Sequence, residues 1–427
     1  MLSKKGLKTL GVICALFLIS KVHGQNSSST YSALGIGEFN YSGLTQNQGM
    51  GGLGISYGTG WQANVVNPAL STRNTIFNFQ VAFNYDRNNV DNGTETSLVD
   101  GGGLSYIAIS LPIQSGKFTT GLGLGQVTSV NYRLQVSSEV DNSNLEAINF
   151  LQGDGGVSEA YLNFGWLIAK NLSIGMQGSY LFGSTIRTNQ LVVYDTESKE
   201  VGDPSEYYER LTVSDVGYKA GVHYFFKTSE KTNLHLGAIY QKLGNVNGTG
   251  FAKLAGINQA SDPDSDGDLI ANDVKGSVYL PNRYGFGLTF EKMNKFAVGL
   301  EGQYQDFSEY RNFFDDPLNL QATQKVGFGF QIVPDYLNFD NIFMRSTYRV
   351  GIEWMQTPYL LNNTNINDLG INLGTSIPVN NLSLMNVAVK VGRRGSLDNG
   401  LIRESYVNFT LGFSLNDNSW FYKRVFE

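Results

Sequence analysis

Five aspartates crowd into one short stretch, SDPDSDGDLIAND, residues 261–273. With Asp262 at position 1 of a calcium loop, Asp264 and Asp266 take positions 3 and 5, Gly267 the sharp turn at 6, Asp268 position 7 and Asp273 position 12. The spacing follows D-x-[DN]-x-[DN]-G-x5-E except for the shorter acid at its end. Alternating carboxylates can wrap one hard cation in oxygen while the glycine lets the backbone curl. Calcium is the expected ligand, and a plain solvated acidic loop is the alternative. A second constellation is built of glycine. Gly49, Gly51 and Gly54, in NQGMGGLGISYGTGWQANVVNPAL, spell G-x-G-x-x-G. A dinucleotide site needs a strand before such glycines and a helix after them. Here a polar QNSSST run precedes and no amphipathic helix follows, so the glycines are expected to serve tight bends with some positive φ. Past residue 24 the only histidines are His223 and His235, and neither G-x-S-x-G nor H-E-x-x-H occurs. No catalytic residue, and no enzyme, is expected from these motifs.

The elements that must position these residues are strands. The chain opens with Lys4, Lys5 and Lys8, then an apolar run from Leu10 to Ile19, then Val22 and Gly24 before Gln25. That order reads as a signal peptide over residues 1–24. The single cysteine, Cys14, lies inside it. Beyond it no apolar run approaches the ~20 residues of a membrane helix. Glycine is 50 of 427 residues, aromatics are 12% and charged residues 16%, against about 25% charged in an ordinary globular chain. With a formal charge of −6, nucleic acid is not an expected partner.

Alternation of side chains is the dominant pattern. In TIFNFQVAFNYD, Phe77, Phe79, Val81, Phe83 and Tyr85 share one face, and Asn78, Gln80, Ala82 and Asn84 the other. A period of two separates a face in oil from a face in water. The pattern repeats down to Val407, Phe409, Leu411, Phe413 and Leu415. It gives about 14 strands, an even number as bacterial barrels require. Gaps between strands alternate in length. Long ones fall at 134–155, 188–206 and 245–277, and brief ones at Gln114-Ser115-Gly116, Lys170-Asn171 and Val379-Asn380. Short periplasmic turns and long outer loops make that alternation in an outer-membrane β-barrel. The expected class is therefore all-β: a transmembrane antiparallel barrel over residues 74–416, with an N-terminal hatch at 25–73 and a tail at 417–427. Outer-membrane lipid is its first partner.

Parity also says which charges face the lumen: Lys219, His223, Glu301, Arg349, Glu353 and Lys390. Arg349 and Lys390 could hold a ligand carboxylate, or they could pair with Glu301 and Glu353 and brace the barrel. Other inward positions, such as Asn78, Gln80, Gln303, Thr347, Asn386, Asn408 and Thr410, are polar, which weighs against a continuous apolar channel.

Glu38-Phe39, Ser42-Gly43-Leu44, the glycine cluster, Asn64, and Asn67-Pro68-Ala69-Leu70 running into the first strand resemble the start of FadL-type outer-membrane transport proteins. The resemblance at motif level covers residues 35–85. It implies a 14-stranded barrel plugged by an N-terminal hatch, with Gly49, Gly51, Gly54, Asn67, Pro68 and Ala69 as hatch residues. It also implies a bacterial outer-membrane location and passive uptake of hydrophobic small molecules such as long-chain fatty acids. The alternative within the same resemblance is a barrel that does not transport and serves as a subunit of a larger outer-membrane complex, as PorV-type components of type IX secretion do.

Overall fold

The computed structural model describes residues 29–417 apart from 312, 314–319, 339 and 381. The expected signal peptide and nearly all of the expected tail lie outside the described residues.

Fourteen wall strands close into an antiparallel barrel. They are β1 (Phe77–Asp91), β2 (Thr96–Gln114), β3 (Phe118–Gln126 and Thr128–Glu139), β4 (Leu145–Ala169), β5 (Leu172–Asp195), β6 (Ser205–Lys227) and β7 (Thr232–Lys242 and Gly244–Gly256). Then come β8 (Asp268–Leu280 and Arg283–Lys292), β9 (Phe296–Asp306), β10 (Ala322–Ile332), β11 (Thr347–Leu361), β12 (Thr364–Pro378), β13 (Ser383–Gly395) and β14 (Arg403–Asp417). Closure is made by β14 on β1, from Arg403 opposite Asp91 to Asp417 opposite Phe77. A closed ring leaves no lipid-facing edge, which is the condition for crossing oil with strands. No helix among the described residues is long and apolar enough to cross a membrane.

Burial follows the sequence parity. Phe83, Tyr85, Leu162, Phe164, Trp166, Phe286, Phe328, Ile371 and Phe409 are exposed on the outer face, whereas Asn78, Gln80, Asn386 and Thr410 are buried inside. The expected loops at 134–155, 188–206 and 245–277 are mostly strand instead. β4 has 25 residues, about 83 Å at 3.3 Å per residue, where a tilted span needs roughly ten. The turns themselves shrink to 140–144, 196–204 and 257–267. Above the membrane both faces of a strand meet water, so the period of two fades while the ladder continues.

Three strands are interrupted, at Val127, at Leu243 and at Pro281-Asn282. Proline has no N–H to give the ladder. Beside the last two the wall stays continuous, because the lower half of β7 pairs with the lower half of β8 and the upper half with the upper. At Val127 it does not. Residues 106–114 of β2 pair with Phe118–Gln126. On that same side Thr128–Glu139 meets the inner segment instead: the two-residue strand Glu38–Phe39 at its lower end and the turn at Ser29–Ser32 beside Asn131.

Candidate functional site

The lumen is filled by residues 29–74. This segment has little regular structure: a 3-10 turn Thr30–Ala33, a four-residue helix Thr45–Gln48 and a second turn Pro68–Arg73. Its buried backbone groups still need partners, and asparagine amides supply many of them. Asn47 donates to Leu53 O at 2.6 Å and accepts from Leu44 N at 3.1 Å. Asn64 donates to Gly54 O and Tyr57 O and accepts from Val66 N and Asn67 N.

Asn67 is fully buried. It caps the turn by accepting from Ala69 N (3.0 Å) and donates to Ile55 O (2.6 Å) and to Val222 O in the wall (3.1 Å). Pro68 takes the first helical position, where the missing N–H costs nothing. The Asn-Pro-Ala stretch thus fastens the segment to itself and to β6 at the point where it turns into β1.

The glycine cluster lies against glycines of the wall. A Cβ on Gly49 would come within 2.7 Å of Gly374 Cα, and Gly51, at φ +69°, sits on the backbone of Gly351. Backbone meets backbone there, and no side chain fits between. Gly54 packs inside the segment, where a Cβ would meet Asn47 and Val66 at 2.8 Å.

Ionic contacts join segment and wall at three heights. At the outer end, Glu404 accepts from Ser29 Oγ, Thr30 N and Thr30 Oγ1 (2.6–3.1 Å). Arg394 reaches Glu404 (3.3 Å), Asp368 (3.2 Å) and Glu38. In the middle, Glu301 accepts from the N–H groups of Gly54, Ile55 and Ser56 and from Ser56 Oγ, at 2.7–2.9 Å. At the short-turn end, Glu291 takes Arg73 (3.3 Å), Tyr57 OH (3.2 Å) and His235 Nε2 (2.9 Å). His235 Nδ1 lies 3.0 Å from His223 Nε2, which completes a buried row of imidazoles and carboxylate.

Arg349 and Lys390 both face inward and both already hold protein groups. Arg349 donates to Gln331 (3.1 Å), Ser376 (2.7 Å) and Gln62 of the segment (3.3 Å). Lys390 pairs with Glu353 (2.5 Å) and Asp368 (3.5 Å), and Lys325 joins Glu353 at 2.9 Å. The expected Arg349–Glu301 pair does not form. Glu301 is level with Glu353 through Gly327, whereas Arg349 is level with Ala297 through Gln331. Four residues separate the two heights, about 13 Å. Lys325, Asp368, Arg394 and Glu404 are missing from the inward set read from sequence, although Lys325 and Asp368 each precede an outward apolar residue, Arg394 shares Lys390's parity and Glu404 shares that of Thr410.

Cavities remain between segment and wall. One of about 150 Å³ is lined by Asn84, Asp86, Asn88, Glu353, Lys390 and Arg394 among others. A second of about 70 Å³ lies beside the Val127 interruption, with Lys219, Arg283, Glu159, Tyr41 and Gln126 in its lining. Both are polar. The apolar part of the lumen is packed with the chain's own side chains: Ile36, Phe307 and Tyr310 fill the space between Val157, Leu181, Leu211, Val246 and Val278.

The calcium-like stretch does not close around one point. No three His, Cys, Asp or Glu side chains gather for a metal ion among the described residues. Asp268 opens strand Asp268–Leu280, and Asp273 lies within that strand at a break in its pairing, at φ 49°. Asp262 instead accepts from Asp264 N at 3.0 Å. The interior of the turn holds a cation of the chain's own: Lys253 Nζ donates to Asp262 O (2.8 Å), Ser265 O (2.5 Å) and Ser265 Oγ (2.8 Å). Its side chain is among the largest fully buried ones.

A closed barrel of 14 antiparallel strands filled by its N-terminal segment is the fold of FadL-type bacterial outer-membrane proteins. Solved structures share the fold at low identity. A Pseudomonas aeruginosa FadL homologue matches with TM-score 0.57 and 12% identity over 89% of this chain and 99% of its own. The Pseudomonas putida toluene transporter TodX matches with TM-score 0.56 and 16% identity over 90% and 99%. The CymD monoaromatic hydrocarbon channel matches with TM-score 0.54 and 12% identity over 89% and 99%. No curated protein matches by sequence. The family model for BamG matches residues 6–427, and the chain belongs to the BamG family.

Proposed function

We propose that this chain is a FadL-type barrel that does not conduct, and that it serves as a subunit of a larger outer-membrane assembly. One observation carries the reading: the apolar interior that a hydrophobic solute would need is occupied by Ile36, Phe307 and Tyr310. The cavities of about 150 and 70 Å³ left over are lined largely by carboxylates, amides and cations, and the mainly apolar one measures only about 20 Å³. An apolar solute gains about 25 cal/mol per Å² only by burying its surface against apolar surface, and these cavities offer little. Native purification followed by protein and lipid mass spectrometry tests the reading. A protein partner at fixed stoichiometry, with no bound fatty acid or hydrocarbon, is expected. A stoichiometric hydrophobic ligand, with uptake of that ligand lost when the chain is deleted, would refute it.

Uptake of hydrophobic small molecules, long-chain fatty acids among them, is the second reading. The interruption at Val127 favours it, because a small cavity adjoins a place where β2 and β3 part. TodX, described as a toluene transporter, has the same fold.

A further inference from the structure

Above the membrane the upper halves of β3 to β8 form an open sheet, and an open sheet has two edges. An edge strand presents unpaired N–H and C=O groups to any passing chain, and natural sheets blunt their edges with bulges, charges or proline. The far edge here, Asp268–Leu280, is blunted. Its pairing with β7 shifts register twice, at Gly250/Ala252 and Ala252/Lys253. Asp273 on it has φ 49°, and Asp268, Asp273 and Lys275 charge it.

The near edge, Thr128–Glu139, has neither bulge nor proline, and its two charges, Arg133 and Glu139, stand far apart along it. Its pairing with β4 runs without a shift from Val130 opposite Gly155 to Glu139 opposite Glu146. The stretch from 132 to 139, YRLQVSSE, contains no proline and no lysine. Asn131 shows which way the groups point. Its N–H donates to Ser32 Oγ and its C=O accepts from Ser29 N, both at 3.1 Å and both away from β4. By the period of two, the N–H and C=O of Arg133, Gln135, Ser137 and Glu139 point the same way. Those four residues are exposed, and none of their edge-facing groups is hydrogen-bonded to a described residue.

The chain demonstrates what this edge accepts. Its own Glu38–Phe39 adds to the lower end as an antiparallel strand, Glu38 opposite Ser129 and Phe39 opposite Thr128. We propose that residues 132–139 take an extended segment of a partner protein at the cell surface as an added strand. The proposal rests on the assembly reading above and names the contact that assembly uses. Side chains set the partner's pattern. Leu134 and Val136 lie on one face of the edge and call for apolar residues opposite them. Arg133 and Glu139, at opposite ends of the other face, call for an acid at one end of the added strand and a base at the other.

Replacing Gln135 and Ser137 together by proline deletes two edge-facing donors and keeps the bonds of Leu134, Val136 and Ser138 to β4. Gln135→Thr with Ser137→Thr changes the same side chains and keeps the donors. The full-length protein is purified natively from cells, and the protein that accompanies the wild type at fixed stoichiometry is quantified. The proline pair is expected to lose at least about tenfold of it and the threonine pair to keep it, with both barrels folded by heat-shifted gel mobility. Hydrogen exchange on the wild type needs no variant. The amides of Arg133, Gln135, Ser137 and Glu139 should exchange at least about tenfold more slowly in the complex than in the isolated barrel. Equal exchange at those amides, or a partner retained by the folded proline pair, overturns strand addition and leaves the assembly reading standing. Absence of any stoichiometric partner on the wild type overturns both.

Discussion

Glu301 is the sharpest place to perturb the lumen. Its buried carboxylate accepts from three consecutive backbone N–H groups, those of Gly54, Ile55 and Ser56, and from Ser56 Oγ. Glu301→Ala removes every acceptor at once and leaves three N–H groups buried in a space too tight to hydrate well. Each unsatisfied donor costs about 1–3 kcal/mol, so the segment's docking weakens by roughly 3–9 kcal/mol, or two to six powers of ten in its equilibrium. The barrel ladder does not involve this side chain and should survive. Signal-peptide removal would leave a chain without cysteine, so Ala63→Cys, at a buried position of the segment, provides a clean reporter. The assay is labelling of that introduced thiol in folded barrels by a water-soluble maleimide across a urea series. In the Glu301→Ala background, labelling should begin at clearly lower urea, well before the heat-shifted gel mobility of the barrel is lost. Coincidence of the two labelling curves would show that Glu301 does not hold the segment, and the three-height ionic arrangement would lose its central member.

Gly351→Ala should fold as a barrel yet dock the segment poorly, since its Cβ would meet the backbone of Met50 and Gly51; wild-type maleimide protection of the reporter thiol would contradict this. Glu353→Gln leaves Lys325 and Lys390 sharing a neutral partner, and one lost buried ion pair of this kind costs about 3–5 kcal/mol, read as a fall in the urea midpoint of the barrel. Calcium at Asp262, Asp264 and Asp266 stands as a proposal with Lys253 as its competitor: Lys253→Met should speed proteolysis within 257–267 and millimolar calcium should restore protection. If calcium protects neither protein, the carboxylates hold no ion. Finally, Phe409→Cys should react with lipid-phase probes and Thr410→Cys with aqueous ones only after the segment is released; equal labelling would reject the assigned faces.

Strand existence was legible because oil and water impose opposite demands on alternate residues. Phe77 to Tyr85 and Val407 to Leu415 carry that demand plainly, and the structure follows it. Strand length was not legible. Leu145 to Gly155 and Ile186 to Asp195 stand above the membrane, where no medium enforces alternation, and their pairing depends on neighbours far along the chain. The inward charges were legible in kind but not in partnership. Parity places Arg349 and Glu301 on the same face, and only the register through β10 shows them four residues apart in height. The calcium-like spacing was legible, but not where the fold puts its members. A motif counts residues, whereas the ladder with β7 takes Asp268, leaves Asp273 in a break of register, and brings Lys253 of β7 into the turn.

The glycines posed the opposite problem, since their reason lies on two segments at once. Gly49 and Gly51 look like a cofactor motif when read alone, and Gly351 and Gly374 look like weak points in β11 and β12. Together they are one contact, backbone on backbone, made twice. A segment that docked only transiently would gain little from such fits, because each glycine adds freedom to the unfolded chain and costs about 0.5–1 kcal/mol in a strand. The cost is offset only if the contact is kept. Add the carboxylates at three heights, and the segment is held in the lumen along its whole length. What such a molecule offers to others is then its outside: the apolar belt, which lipid covers, and the long hairpins above it, whose near edge is left bare by the described residues.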